Sequence, residues 1–430
     1  MLQVTHDIID RNLIFMGEYM SNLAINGGKS IGKVDTVAWP HFGDREREYL
    51  NQVLESGYWA YLGPFEERLE NSFAAFCGAE HAVAASNGTH TLRLALEALG
   101  IGPGDEVIVP ALTWQATASV VLDVNAIPIL VDIDPETYTI DPQKIKGALN
   151  INTKCIIPVH LYSCVCEMDE ISEIAQENSL HIIEDCAHQH GSEWMGKKVG
   201  TIGDIGSFSL QGSKILNSGE GGLLTTNSKT LYEYLQSLKN CGRDYKNSTN
   251  VMHSGNYRMT EFQAAVALAQ LERLDEQNKL RQKTMNYLET QIQGTLGIKT
   301  MKRSRKITMQ AVYQWTLKYD ENEWEGISRD RFLEALSAEL DGSVMFNMPY
   351  RPLNKSPLYN PLNKKTHKSS EAYIKSINPG QYSMPVAEKA YDKEIINVHH
   401  NFLLSVPEDC MKLIYAIEKI RKNIGELHEN

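Results

Sequence analysis

The chain has 430 residues and a formal net charge of −12, and 42% of its residues are hydrophobic. This composition is typical of a globular enzyme with one large domain and a smaller one. The acidic balance argues against nucleic acid as a partner, and no apolar run of about 18 residues predicts a membrane span. The start of the chain lacks a signal-peptide pattern, so we expect a cytoplasmic protein. The seven cysteines form no CxxC pair, so we expect reduced thiols and no metal site.

Short apolar runs alternate with stretches of helical spacing between residues 81 and 226. The predicted strands are His81–Ala85, Glu106–Pro110, Pro128–Asp132, Lys154–Val159, Leu180–Asp185, Ser207–Leu210 and Gly222–Thr226. Continuous apolar strands separated by helices are typical of a largely parallel sheet that is covered on both faces. The sequence therefore predicts an α/β fold for this region.

The pattern changes beyond about residue 285. The elements predicted around and after this point are a helix from Thr260 to Lys283, a strand at Gln314–Leu317, a helix at Arg329–Leu340, a loop region over 348–383 and a helix at Cys410–Lys422. We therefore predict an N-terminal arm over residues 1–35, a large α/β domain over 36–285 and a small C-terminal α+β domain over 286–430.

Three chemically distinctive groups lie where predicted strands end. Asp185 closes an otherwise apolar strand, Lys214 follows another strand, and Gly88-Thr89 lies between a strand and a helix. Ligands of parallel sheets bind at the carboxyl ends of strands. Taken alone, each group has an ordinary explanation, as a helix cap, a surface lysine or a helix start.

Together, these groups match the needs of pyridoxal phosphate. This cofactor requires an amine for its aldehyde and a carboxylate beside its ring nitrogen. It also requires an anion site, which the start of a helix provides. Trp114 follows another predicted strand and could supply an aromatic face for the ring.

Six segments of the sequence, in order, carry a resemblance to a known family. They are Ser86–Thr89, Pro110–Ala118, Ile183–Gly191, Phe208–Lys214, Gly219–Gly222 and Gly255–Met259. From about residue 23 onward, the chain resembles the sugar aminotransferases of the DegT/DnrJ/EryC1/StrS family. The resemblance implies the fold-type-I architecture of pyridoxal-phosphate-dependent transferases.

The resemblance also implies roles for individual residues. Lys214 would form the imine with the cofactor and move the proton, and Asp185 would pair with the ring nitrogen. Trp114 would stack on the ring. These assignments make Lys214 and Asp185 the candidate catalytic residues.

Other residues would hold the cofactor's remaining groups. By resemblance, the backbone of Gly88 and Thr89 and the hydroxyl of Ser209 bind the phosphate. Asn256 would reach the phosphate in the neighbouring subunit, which implies a homodimer with shared active sites. His188 stands where the family often has glutamine, near the cofactor's 3-hydroxyl or ring.

A finer resemblance concerns the branch of the family. Gln211, the segment Cys186–Gly191 and the segment Val398–His400 look like the branch of 2-deoxy-scyllo-inosose and scyllo-inosose aminotransferases. This implies amino transfer from glutamine or glutamate to a cyclic polyhydroxy ketone, a keto-cyclitol or a keto-sugar, in aminoglycoside or secondary-metabolite biosynthesis. The candidates for binding the ketone are His160, Tyr162, His188 and Arg243–Tyr245. Arg258 could bind the donor carboxylate or form a structural ion pair.

Two other functions compete with amino transfer. The same branch includes 3-amino-5-hydroxybenzoate synthase, which implies a dehydratase and aromatase as an alternative. Sugar 3-dehydratases of the family carry histidine in place of the lysine, so Lys214 argues against that version. A non-catalytic regulator with this fold is the third possibility, and the presence of both Lys214 and Asp185 argues against it.

Overall fold

The computed structural model describes residues 22–61, 63–244, 252–292, 297–363 and 370–428. Most of the predicted N-terminal arm, residues 1–21, lies outside the described residues, as does Tyr245. Within the described ranges, no helix is both long and apolar enough to cross a membrane.

Strands and helices follow one another along the whole described chain. The strands are β1 (His81–Ala85), β2 (Glu106–Pro110), β3 (Ile127–Val131), β4 (Thr153–Ile156), β5 (His181–Asp185), β6 (Glu193–Trp194), β7 (Lys197–Lys198), β8 (Ile205–Ser209), β9 (Gly222–Thr226), β10 (Ile298–Thr300), β11 (Ile307–Met309), β12 (Gln314–Tyr319), β13 (Phe346–Asn347) and β14 (Ile395–His399). The helices are α1 (Asp44–Ser56), α2 (Pro64–Cys77), α3 (Gly88–Ala98), α4 (Ala116–Asp123), α5 (Pro142–Ala148), α6 (Met168–Asn178), α7 (Lys229–Lys239), α8 (Glu261–Ile292), α9 (Arg329–Glu339), α10 (Glu371–Ser376), α11 (Pro385–Lys389) and α12 (Pro407–Lys422).

The largest sheet of the described residues has seven strands in the order β1-β9-β8-β5-β4-β2-β3. Strands β3, β2, β4, β5 and β8 pair in parallel, while β9 runs antiparallel to both β8 and β1. The prediction of a largely parallel α/β sheet is confirmed. Because two antiparallel steps separate β1 from β8, these two strands point the same way.

Apolar side chains cover both faces of this sheet. Ala84 and Ile108 belong to the hydrophobic core on one face, and Val83 and Val109 belong to the core on the other. Alternate residues of a strand point to opposite faces, so strands buried on both sides must be apolar throughout. The burial explains why these strands were recognisable in the sequence as continuous apolar runs.

A second layer follows the large sheet. In the described residues, β10, β12, β14 and β13 form a four-stranded sheet, with α9 and α12 sharing its apolar core. Leu23, Ile31 and Val34 belong to the same core. The described part of the predicted arm therefore packs against the C-terminal layer.

The bounds of several predicted elements differ from the structure by a few residues, and two predictions near the C-terminal part differ more. Helix α8 continues to Ile292 because Leu288 and Ile292 are buried in the core of the C-terminal layer. The predicted domain border at 285–286 falls inside this helix and stays a prediction. The predicted loop region over 348–383 contains the short helix α10, capped by the Ser370 hydroxyl, which accepts a hydrogen bond from the Tyr373 amide.

Candidate active site

A cavity of about 730 Å³ lies at the edge of the large sheet where β1, β5 and β8 end. The strands that end there run in one direction, so the residues following them meet at this edge. The predicted site residues that line the cavity are Gly88, Thr89, Trp114, Asp185, His188, Ser209 and Lys214. The structure thus brings together groups that lie up to 126 positions apart, from 88 to 214.

Lys214 lies in the turn after β8, and its side chain is enclosed. Its backbone amide donates to the Gln211 carbonyl at 2.8 Å, and the residue is 7% exposed. The amine Nζ lies 4.3 Å from the centre of the Tyr313 ring. Burial lowers the pKa of Lys214 to about 8, and the nearby charge of Asp185 opposes this shift. A substantial fraction of this amine is therefore neutral near physiological pH.

Asp185 is the last residue of β5, and it is buried. Its carboxylate accepts hydrogen bonds from the Thr117 hydroxyl at 2.9 Å and from the Ala187 amide at 3.2 Å. Burial raises the pKa of Asp185 above its ordinary value, while these two donors lower it. The donors hold the carboxylate in one orientation within the cavity.

The start of α3 lies directly against the end of β8. Asn87 caps the helix, and its side chain accepts a hydrogen bond from the His90 amide at 2.8 Å. A Cβ atom on Gly88 would lie 2.6 Å from the Cβ of Ser209, so only glycine allows this approach. The first amides of a helix have no partner within the helix. The amides of Gly88 and Thr89 and the Ser209 hydroxyl therefore form a compact set of donors suited to an anion.

His188 is buried in a group of aromatic rings. Its Nδ1 accepts a hydrogen bond from the Tyr162 amide at 3.2 Å, so Nε2 carries the proton and donates to the Tyr350 hydroxyl at 3.1 Å. Its ring centre lies 4.2 Å from that of Tyr313. Burial and the charge of Lys214 hold the pKa of His188 well below its usual value. His188 is therefore a neutral hydrogen-bonding group.

Trp114 lies at the open side of the cavity and is 46% exposed. Its ring centre lies 5.6 Å from that of Tyr350, with the planes tilted by 52°. An indole that lines a cavity and remains largely accessible offers its face to a planar ligand. Asp185 and Lys214 line the same cavity, so the indole and both of these groups can contact one ligand.

Asn256 does not line the cavity. It is exposed, and its side-chain oxygen accepts a hydrogen bond from the Arg258 amide at 3.2 Å. The Arg258 guanidinium donates to Asn240 and lies 4.0 Å from the centre of the Tyr61 ring. Arg243 also lies outside the cavity lining. Within one subunit, Asn256, Arg258 and Arg243 are therefore separate from the candidate active site.

His160 also lies outside the cavity, next to the end of β5. Its backbone amide donates to the Asp185 carbonyl, and its ring lies between the Cys166 amide and the Glu184 carboxylate. One possible metal-ligand atom from each of the side chains of His160, Glu184 and Cys186 lies within 4.8 Å of the other two. The Glu184 oxygens also accept hydrogen bonds from the amides of Gly200, Ile202 and Gly203. This cluster therefore supports the strand end rather than a ligand.

The lining residues that had no predicted role in the site include Thr117, Tyr313 and Tyr350. Thr117 lies in the first turn of α4, within the segment Pro110–Ala118 that carried the resemblance. Tyr313 and Tyr350 come from the C-terminal part of the chain, and no periodic pattern marks them.

Most of the chain matches one family of known proteins. The sequence model described as the DegT/DnrJ/EryC1/StrS aminotransferase family matches residues 40–402. The chain belongs to this family. Aminotransferases of the DegT family depend in general on pyridoxal phosphate, and the chain is an aminotransferase by this membership.

The relatives of this DegT-family chain include L-glutamine:2-deoxy-scyllo-inosose aminotransferases. The one from Streptoalloteichus tenebrarius is 37% identical and covers 94% of this chain and 99% of its own length. The one from Micromonospora echinospora is 38% identical and covers 95% of this chain and all of its own length. A solved structure of 3-amino-5-hydroxybenzoic acid synthase is 29% identical, with a TM-score of 0.78, and covers 90% of this chain and 99% of its own.

Proposed function

We propose that this chain transfers an amino group from glutamine or glutamate to a cyclic polyhydroxy ketone, with pyridoxal phosphate as cofactor. The observation that carries the proposal is Lys214, a buried amine whose pKa is lowered to about 8, in one cavity with Asp185. The relatives that act on 2-deoxy-scyllo-inosose match the chain over nearly its full length. A keto-cyclitol of that kind, or a keto-sugar, is therefore the proposed acceptor, in aminoglycoside or secondary-metabolite biosynthesis.

The residues that line the cavity fit the cofactor. The donors at the start of α3 and the Ser209 hydroxyl would hold the phosphate, in the narrow space that a Cβ on Gly88 would fill. Trp114 would cover the ring, and His188, which lines the same cavity, would lie at the ring or its 3-hydroxyl. When bound, pyridoxal phosphate supplies an aldehyde for the amine and an electron sink for the carbanion formed from the donor.

Lys214 is proposed to move the proton. Its neutral Nζ would take the proton from the Cα of the amino donor and deliver it to the cofactor carbon. In the second half-reaction it would move a proton the opposite way, from the cofactor carbon to the carbon of the former ketone. The Asp185 carboxylate would keep the cofactor's ring nitrogen protonated. Thr117 would hold that carboxylate in place through its hydrogen bond of 2.9 Å.

The active unit is proposed to be a homodimer. Asn256 is exposed and lies outside the cavity of its own subunit. In the family pattern this residue reaches the phosphate site of the neighbouring subunit. An exposed position is what such a role requires.

The first experiment tests the cofactor and Lys214. Purified protein supplied with pyridoxal phosphate should show the visible absorbance band of the lysine-bound cofactor, and Lys214→Ala should lose it. Loss of a general base should lower kcat by about 10²- to 10⁴-fold. Lys197→Ala is the matched control, because Lys197 is an exposed lysine outside the cavity. A wild-type protein that binds no pyridoxal phosphate would overturn the proposal.

The second experiment separates amino transfer from dehydration. Glutamine is supplied with 2-deoxy-scyllo-inosose, scyllo-inosose or aminodehydroquinate, and products are followed by mass spectrometry. We expect an amine on at least one of the ketones. Formation of an aromatic product from aminodehydroquinate, with no amine transferred to any ketone, would instead support a function like that of the structural neighbour.

A further inference from the structure

A second cavity, of about 320 Å³, adjoins the candidate active site. The two cavities share Ser213, Tyr313 and Tyr350 in their linings. Ser213 directly precedes Lys214 in the chain. The two cavities therefore border one another at these three side chains, and the hydroxyls of Ser213 and Tyr313 lie 2.8 Å apart at that boundary.

The floor of this cavity is a polar face of the four-stranded sheet. Gln314 lies opposite His399, and Asn347 lies opposite Asn397, in the antiparallel register of β12, β14 and β13. Residues opposite one another, and residues two positions apart along a strand, share a face. The intervening residues, such as Trp315, belong to the apolar core on the other face. Polar side chains are thus gathered on the one face that borders the cavity.

Two amides on this face are buried with unused hydrogen-bonding groups. Gln314 is 3% exposed, and its Oε1 has no hydrogen-bond partner. Asn397 is 1% exposed, and its Oδ1 accepts a hydrogen bond from the Thr316 hydroxyl at 2.7 Å. The Asn397 Nδ2 faces the Tyr162 hydroxyl without a hydrogen bond of normal geometry. Buried polar groups normally have partners, so the unpartnered ones that border a cavity are the groups to which a bound molecule could hydrogen-bond.

The lining identifies the chemistry of that ligand. No lysine or arginine lines the cavity within the described residues, so no fixed positive charge is present to bind a carboxylate. The Nδ1 of His399 lies 2.8 Å from the Asn401 side-chain oxygen and 3.4 Å from the Asn401 amide nitrogen, and the shorter contact favours a proton on Nδ1, which leaves Nε2 as an acceptor. An uncharged cavity with both donors and acceptors suits neighbouring hydroxyl groups, each of which can donate and accept.

We propose that this second cavity is the subsite for the ring hydroxyls of the ketone acceptor. Gln314 accepts a hydrogen bond from one hydroxyl through Oε1, and Asn397 donates to another through Nδ2. The inference rests on the function proposed above and adds the residues that select a hydroxylated ring. Gln314 and Asn397 are specificity residues, and they take no part in moving the proton.

The test uses the complete enzyme loaded with pyridoxal phosphate and the single variants Gln314→Leu and Asn397→Leu. Gln236→Leu is the matched control, because Gln236 is also buried with an unpartnered Oε1 but lies on α7, outside both cavities. The two half-reactions are measured separately by the visible absorbance band, first with glutamine and then with scyllo-inosose. Retention of the band and of the thermal midpoint checks that each variant folds.

The glutamine half-reaction of both variants should stay within about twofold of the wild type. The apparent KM for scyllo-inosose should rise by about 3- to 10-fold in each variant, because one hydrogen bond is lost. The preference for scyllo-inosose over cyclohexanone should fall by the same factor, since cyclohexanone has no hydroxyl to lose. Gln236→Leu should leave all three quantities unchanged.

Calorimetric titration with scyllo-inositol, which has no reactive carbonyl, gives a readout that is independent of turnover. Its affinity should fall in the Gln314 and Asn397 variants and stay unchanged in the control. If both variants keep the wild-type KM and preference, the subsite assignment is wrong while the proposed function stands. Slower glutamine half-reactions with an unchanged ketone KM would assign the cavity to the donor and also overturn the inference. A wild type that aminates no hydroxylated ketone would overturn both proposals.

Discussion

The environment of Lys214 sets the protonation state of its amine. At pH 7.5, a lysine with the ordinary pKa near 10.4 is neutral in roughly one molecule in a thousand. With the pKa lowered to about 8, Lys214 is neutral in about one molecule in four at that pH. The cause is burial, which disfavours the charged ammonium more than the Asp185 carboxylate favours it.

This shift predicts how cofactor attachment depends on pH. Only the neutral amine attacks an aldehyde, so the rate of band formation in cofactor-free protein should rise with pH and level off above about pH 8. Rapid mixing with pyridoxal phosphate at a series of pH values measures this rate. Lys214→Ala supplies the baseline. A rate that keeps rising toward the ordinary lysine pKa, about 10.4, would show that the pKa of the amine is not lowered.

At the scale of elements, the contact between the start of α3 and the end of β8 shapes the anion site. Gly88→Ala would place a Cβ 2.6 Å from the Ser209 Cβ, so the helix start or the strand end must move. A misplacement of about 1 Å in an active site can lower the rate by about 100-fold, and we expect a loss on the order of 10- to 100-fold for binding at this site. We expect the dissociation constant of pyridoxal phosphate, measured by titration of the visible band, to rise by that factor.

The control for this change is Gly147→Ala. Gly147 lies within α5, and a Cβ there would meet nothing within 4 Å. Its cofactor affinity should match the wild type, and its thermal midpoint should stay the same or rise slightly, because alanine favours a helix. Unchanged cofactor affinity in Gly88→Ala would contradict the assignment of this helix start to the phosphate.

At the scale of the whole molecule, Asn256 predicts complementation between subunits. In a mixed dimer of Lys214→Ala and Asn256→Ala chains, one site would combine Lys214 of one chain with Asn256 of the other. Such dimers, purified through two different tags, should recover one site with wild-type affinity for pyridoxal phosphate. The parent Asn256→Ala dimer should bind the cofactor more weakly at both sites.

The mixed dimer also distinguishes a site that is shared between the two subunits from a site that is formed within one subunit. If Asn256 served the site of its own subunit, the site with an intact lysine would still lack the asparagine. Affinity in the mixed dimer would then stay at the level of the Asn256→Ala parent. That result, or a chain that sediments as a monomer at assay concentrations, would contradict the shared site.

Much of the large sheet was predictable because its strands are buried on both faces. The runs at His81–Ala85 and Glu106–Pro110 have the predicted bounds. Helices α1 and α2 and strand β14 were not predicted. Strand β14 carries Asn397 and His399 on its polar face, so it lacks a continuous apolar run.

The amino-acid sequence by itself determined the α/β fold, the family, and the strand-end groups Asp185 and Lys214, because local patterns and chemistry carry this information. The tertiary structure alone decided which distant residues face them. Tyr313 and Tyr350 line the same cavity as Lys214 although they follow it by 99 and 136 positions. Their placement depends on how the C-terminal layer packs against the large sheet, and no short-range pattern encodes that packing.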